Sequence, residues 1–217
     1  YAHLVLDEVQ DFSPVEVQVL LGAVSKEQSV TLAGDTRQHI TEHAGFTSWA
    51  EFLERIGVSS RALNTLAVSY RSTHPITEFA VAVLEDDEPP VQTLRNGPPV
   101  ELFRFSDHGA CVAFLARTLL QLFEMEPLAN VAVLAPNTAM ATLYFDGLVS
   151  ADVPHTRLVE NQRFAFKSGI DVVPVAEIKG LEFDYVVIVE ASAQFWPDTP
   201  HHRRLMHVAA TRAVHQL

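Results

Sequence analysis

Apolar residues run along this chain in two alternating rhythms. Short hydrophobic runs at His3–Leu6, Val30–Ala33, Leu63–Val68, Val100–Phe105, Val131–Leu134, Ile170–Val175 and Tyr185–Val189 each predict a strand. Between them lie stripes at helical spacing. Ser13-Pro14-Val15-Glu16 reads as a capping box with proline at the first helical position, followed by Val17, Leu20, Leu21 and Val24 on one face. Thr47 can cap a helix in which Trp49, Phe52, Leu53 and Ile56 form an i, i+3, i+4, i+7 stripe, a pattern that core packing explains without any ligand. Pro75 opens a helix with Ile76, Phe79, Ala80 and Val83 inward. Further helices are predicted over Asp107–Phe123 and Thr138–Leu148, and a last one is capped by Thr199 with Pro200 behind it. Strands alternating with helices predict an α/β fold built on parallel sheet.

The rhythm breaks over residues 85–99, where Glu-Asp-Asp-Glu-Pro-Pro and Asn96-Gly97-Pro98-Pro99 exclude regular structure. This places a domain boundary between residues 1–96 and 97–217. A hydrophobic content of 48% supports a sizeable core. No apolar run approaches the roughly 20 residues that a membrane helix needs, and no basic-then-apolar leader opens the chain. Cys111 is the single cysteine, so there is no internal disulfide or C-x-x-C pair. A soluble, cytoplasmic, monomeric protein is the expectation.

Net charge is −12, with 14 acids against 6 bases in residues 1–96 and 13 against 9 in residues 97–217. Neither half carries the basic footprint of a domain that grips duplex DNA unaided. Contact with nucleic acid therefore needs a focused patch.

The most informative chemistry sits at the end of the first strand. Leu4–Leu6 leads into Asp7-Glu8, with Gln10 and Asp11 just behind. A strand that delivers two carboxylates to the carboxyl edge of a sheet suits Mg²⁺-nucleotide binding and activation of a water. The complementary phosphate cradle, G-x-x-x-x-G-K-[ST], occurs nowhere in the 217 residues. The chain reads as a motor ATPase cut just before its acid strand, and by itself it is expected to bind nucleotide poorly and hydrolyse none.

Five clusters occur in a telling order: LVLDEVQD (4–11), LAGDTRQ (32–38), SYRST (69–73), IKGLEFDYVVIV (178–189) and VAATRA (208–213). They resemble motifs II, III, IV, V and VI of superfamily 1 helicases of the UvrD/Rep/PcrA type. The resemblance implies two RecA-like, P-loop NTPase-type domains with ATP in the cleft between them, residues 1–96 being the incomplete first and 97–217 most of the second. It implies that Asp7 holds Mg²⁺ through water and that Glu8 orients or deprotonates the attacking water. Gln38 would sense the γ-phosphate, and Tyr70 would offer its face to adenine. Arg71 and Arg212 would reach the γ-phosphate, since a planar, permanently charged fork suits phosphate oxygens. Glu182 would accept from a ribose hydroxyl beside Lys179-Gly180, although a Lys-Gly pair is also an ordinary exposed turn. ATP and Mg²⁺ follow as ligands, and single-stranded DNA as the partner of the intact protein.

The departures from the pattern matter as much. After the motif III glutamine, UvrD-type proteins carry QxIYxWRGA, an aromatic platform for a single-stranded base; here Thr41, His43 and Ala44 replace Tyr, Trp and Arg. Each stacked base is worth ~1–3 kcal/mol, so the loss weakens the grip on a single strand. Ala176 stands before Lys179 where UvrD-type motif V has histidine, and the large helical insertion between SYRST and KGLEF is absent. DEVQDFSP, SYRSTHPITEF, KGLEFDYVVIV and ATRAVHQL are similar to the HelD and helicase IV-like branch, whose HelD-type members act on RNA polymerase. A third expectation, from another class, is a non-hydrolysing interaction module. Two histidine clusters suggest metal: His39-Ile40-Thr41-Glu42-His43 fits H-x-x-E-H but has no evident third ligand, and His201, His202 and His207 read instead as a solvated helix start.

Overall fold

The computed structural model describes residues 1–25, 29–38, 48–58, 63–66, 68–85 and 92–217. The chain divides into two compact units, Tyr1–Leu66 and Ala67–Leu217.

In the first unit, strands β1 (His3–Leu6) and β2 (Ser29–Leu32) pair in parallel, His3 opposite Ser29 and Leu6 opposite Leu32. Helix α1 (Pro14–Leu21) follows β1. Its capping box forms as the sequence predicts: Glu16 N donates to Ser13 Oγ at 3.3 Å, and Ser13 N returns to Glu16 Oε2 at 2.7 Å. Hydrogen bonds from the Ser13 backbone and hydroxyl hold the Glu16 carboxyl below its ordinary range. The helix stops at Leu21, so Val24 lies beyond it. Helix α2 (Trp49–Arg55) is capped by Ser48, whose hydroxyl accepts from Glu51 N at 3.2 Å; the expected cap, Thr47, lies outside the described residues. Leu6, Val9, Val17, Leu21, Phe52 and Ile56 bury one another, with Leu53 and Trp49 at the margin.

The second unit is organised by a five-stranded, all-parallel sheet in the order β6-β7-β5-β8-β9. Its strands are β5 (Asn130–Ala135), β6 (Thr156–Leu158), β7 (Gly169–Pro174), β8 (Phe183–Ile188) and β9 (Ala213–Gln216). Val131 through Ala135 are fully buried, as a central parallel strand covered on both faces must be. Helices α4 (His108–Met125) and α5 (Thr138–Ser150) cover one face through Leu115, Leu119, Ala141, Tyr144 and Leu148, which pack on Val131, Val133, Ile170 and Val172. Helix α6 (Pro200–Ala210) packs against β8 and against α3 (His74–Leu84). This is the α/β architecture that the alternating pattern predicts. Asp107 caps α4, its Oδ1 accepting from Ala110 N at 2.8 Å; that bond and the Ser106 hydroxyl hold its carboxyl low.

Several expectations need correction. The expected strand Leu63–Val68 is not seen among the described residues: 63–66 are irregular, Leu66 is 92% exposed, and the ladder described is Val68–Ser69 (β3) with Gln92–Thr93 (β4). Regular structure therefore does enter residues 85–99. Val100–Phe105 joins no ladder, because Phe103 and Phe105 stack on Phe114 of α4, with ring centroids 4.8 and 5.3 Å apart. The compact units also divide before the proline-rich joint. Residues 68–85 lie with the second unit, where Ser72 Oγ donates to Ala213 O at 2.7 Å and His207 Nδ1 meets Ala80 O at 2.9 Å.

Candidate functional site

The first unit presents its acids on a loop clamped between its two strands. Ala33 N donates to Leu6 O at 2.8 Å and Val9 N to Ala33 O at 2.9 Å, which fixes the chain on both sides of Asp7-Glu8. Glu8 sits in the left-handed region, φ 52° and ψ 39°, where a residue with a Cβ is strained by about 1–3 kcal/mol. Its amide donates to Asp7 Oδ1 at 2.9 Å. Behind it, the fully buried Gln10 donates through Nε2 to Glu8 Oε2 and accepts through Oε1 from Asp35 N at 3.0 Å. Asp35 then accepts from Arg37 N and from Gln38 Nε2, both at 2.9 Å. Glu8, Gln10, Asp35 and Gln38 thus form one connected network. A Cβ at Gly34 would collide with Gln10 Oε1 and stand 3.0 Å from Val9 Cγ1, so the network needs glycine there.

The sequence marks the ends of this network but not its middle. In sequence Gln10 looks like a turn residue; its burial and its hydrogen bond show it bracing the Glu8 carboxylate. The donor set fits Mg²⁺ and its water shell, since exposed carboxylate oxygens are hard ligands and one or two of them suffice. Asp7 is exposed and uses one oxygen on the Glu8 amide.

In the second unit, Arg71 and Glu182, far apart in sequence, come together. Arg71 Nη2 lies 2.5 Å from Glu182 Oε1, both side chains about half-exposed. Tyr70 is 71% exposed, with its ring open to stacking. Arg95 donates to the Arg71 carbonyl and, through Nη2, meets His215 Nδ1 at 2.9 Å, holding the segment against β9. Lys179-Gly180 forms the centre of a tight turn: Leu181 N donates to Ile178 O at 3.3 Å, and Gly180 at φ +80° takes the position where a type II turn demands glycine.

Arg212, which the resemblance has reach the γ-phosphate, lies inside the second unit. It is 2% exposed, and its guanidinium donates to Val208 O at 3.1 Å, Leu181 O at 3.3 Å and Thr211 Oγ1 at 3.3 Å. It therefore ties the end of α6 to the residue just before Glu182. A buried arginine needs acceptors within the protein for its N–H groups, and these three meet part of that need.

A further cluster carries no sequence signature. Glu190, at φ 57° beyond the end of β8, accepts from Tyr144 Oη at 2.6 Å and from His108 Nδ1 at 2.7 Å. Burial pushes the Cys111 thiol up, and burial with the Glu190 hydrogen bond pushes the Tyr144 hydroxyl far up. The network braces α4 and α5 against β8.

The H-x-x-E-H segment with its His39 and His43, and the altered platform positions Thr41, His43 and Ala44, lie outside the described residues. Among the described residues, no three His, Cys, Asp or Glu side chains are grouped to hold a metal. His202 Nδ1 meets Thr199 Oγ1 at 2.8 Å at the start of α6, but His207, further along α6, is buried against α3, so the three histidines are not one solvated group. No helix among the described residues is long and apolar enough to cross a membrane.

A family model described as the UvrD-like helicase C-terminal domain matches residues 169–217, the stretch holding β7, the Lys179–Glu182 turn, β8, α6 and Arg212. No curated protein matches the chain. Among solved structures, the chain is similar to the C-terminal domain of a possible DNA helicase from Lactobacillus plantarum WCFS1, at 25% identity over 69% of this chain and 84% of that one, with a TM-score of 0.57. A chain of a CRISPR RNA-guided surveillance complex, in a pre-nicking state, overlays 97% of this chain and 28% of its own at 18% identity, with a TM-score of 0.42. The α/β fold with a five-stranded parallel sheet agrees with a RecA-like helicase C-terminal domain.

Proposed function

We propose that this chain belongs to the motor of an ATP-driven DNA helicase or translocase. The observation that carries the reading is the convergence of Arg71, Glu182 and Arg212 in the second unit, within and beside the segment that matches the UvrD-like C-terminal domain. In this reading Tyr70 stacks on adenine, Glu182 accepts from a ribose hydroxyl, and Lys179-Gly180 shapes the turn that presents it. Arg71 exchanges its carboxylate partner for phosphate oxygens, and Arg212 anchors the turn while adding positive charge near the phosphates. Such arginines can contribute ~10³ or more in rate.

The first unit supplies the acids. Asp7 would hold Mg²⁺, which when bound neutralises phosphate charge. Glu8 would orient or deprotonate the attacking water, with the Gln10 amide fixing the direction of its carboxylate. In this reading Gln38, bonded to Asp35 and through it to Gln10, relays its state to Glu8, a role that these hydrogen bonds support.

A second reading, a HelD-like ATPase that remodels or releases RNA polymerase, is favoured by the net charge of −12 and by Thr41, His43 and Ala44 in place of a base platform. The test is ATP turnover by the intact protein alone, with single-stranded DNA and with core RNA polymerase. Stimulation by DNA is the expected result. Stimulation by polymerase alone would establish the second reading, and no turnover in any condition would leave a non-hydrolysing interaction module.

A further inference from the structure

Parallel neighbours in a sheet are usually joined by a dozen or more residues that include a helix. Residues 159–168 return from the end of β6 to the start of β7 without one. The connection opens with a tight turn: Asn161 and Gln162 are both left-handed, at φ 54° and 57°, and Arg163 N donates to Glu160 O at 3.2 Å. Two positive φ values under one such bond are the type I′ pattern.

Both ends are tied down. Gln162 N donates to Glu177 Oε2 at 2.7 Å, on the short 3₁₀ turn that follows β7. At the other end Arg157, paired with buried Asp171 at 2.7 Å, donates to Lys167 O at 2.8 Å and Ser168 O at 3.0 Å. Held between the anchors is Arg163-Phe164-Ala165-Phe166-Lys167, two rings flanked by two cations. Phe166 is 79% exposed and has φ 49°, a conformation that bulky residues rarely adopt. The Phe164 ring lies beside it, centroids 6.3 Å apart and planes at 50°. Packing does not account for an anchored, strained loop that holds a phenyl ring in water.

We propose that residues 163–167 form a stacking platform for single-stranded DNA. Phe166, with Phe164 beside it, takes bases on its face, and Arg163 and Lys167 meet the flanking phosphates. Stacking on aromatic rings is indifferent to sequence because every base has a π-face, and flanking cations supply the electrostatic part. No acid falls within residues 161–169, which makes this a local basic spot on a chain of net charge −12. The inference rests on the DNA-motor reading and gives that motor an aromatic contact in place of the one missing after Gln38.

Fluorescence anisotropy of a labelled oligo-dT against the 217-residue protein, with a salt titration, tests it. Phe166→Ala should weaken binding roughly tenfold, while Phe166→Trp keeps it. Arg163→Ala and Lys167→Ala should each lower the salt slope by about 1, all with unchanged melting temperature. Wild-type binding that every loop variant retains would discard the platform and leave the DNA reading standing. Absence of wild-type binding would also discard it; if the intact protein's turnover then ignores DNA, the underlying reading falls as well.

Discussion

The two compact units carry their chemistry on opposite kinds of structure. In the first, Asp7 and Glu8 sit on a loop held by a polar network of Gln10, Asp35 and Gln38, beside a two-stranded sheet. In the second, Arg212 is buried among α6 and the Lys179–Glu182 turn, next to a five-stranded sheet whose central strand is fully covered. Charged side chains are thus presented on a loop in one unit and built into the core in the other. A conservative substitution at Glu8 should spare the fold, whereas one at Arg212 should disturb it.

The sharpest way to break this contrast is thermal unfolding. Arg212→Ala leaves Val208 and Leu181 carbonyls without their charged donor and should cost about 1.5–3 kcal/mol, lowering the melting temperature by roughly 5–10 °C. Glu8→Gln, which keeps the size of the side chain, should leave the melting temperature unchanged. Equal melting temperatures for both variants would show that Arg212 is not structural.

Next in size is Gly34→Ala. The new methyl must displace Gln10, so stability should fall by about 1–3 kcal/mol, and turnover of the intact protein should fall with it because Glu8 loses its brace. Retained turnover would sever Gln10 from the chemistry.

A smaller effect distinguishes the units by pH. Burial, with the Glu126 hydrogen bond, pushes the Tyr185 hydroxyl up to about 12. A raised folded value means that its contribution is complete below the unfolded value of about 10 and is lost as pH rises through about 12. The second unit should therefore weaken across that window, and Tyr185→Phe should flatten the dependence, as circular dichroism melts from pH 9 to 12 would show. Smallest is the reactivity of Cys111. With its thiol pushed up by burial, it should alkylate more slowly at pH 7.5 than glutathione, read by mass spectrometry.

Much of the fold is legible because the strands that matter are apolar runs: β1, β5, β7 and β8 announce themselves, and Ser13, Asp107 and Thr199 mark helix starts by their cap chemistry. The edge strands do not. Thr156–Leu158 has an arginine at its centre, held by Asp171, and Ala213–Gln216 is half polar, so neither shows a hydrophobic signal. Val100–Phe105 shows the signal without the strand, because its rings find a helix instead of a ladder. At the candidate site, the motif residues are readable one by one. Arg212's burial is not, since an arginine in sequence defaults to the surface.

The most direct test of the account is ATP turnover by the intact protein in saturating single-stranded DNA, wild type against Glu8→Gln. The account predicts a loss of about 10²–10⁴-fold with DNA binding and melting temperature unchanged. Near-normal turnover in the variant would contradict it.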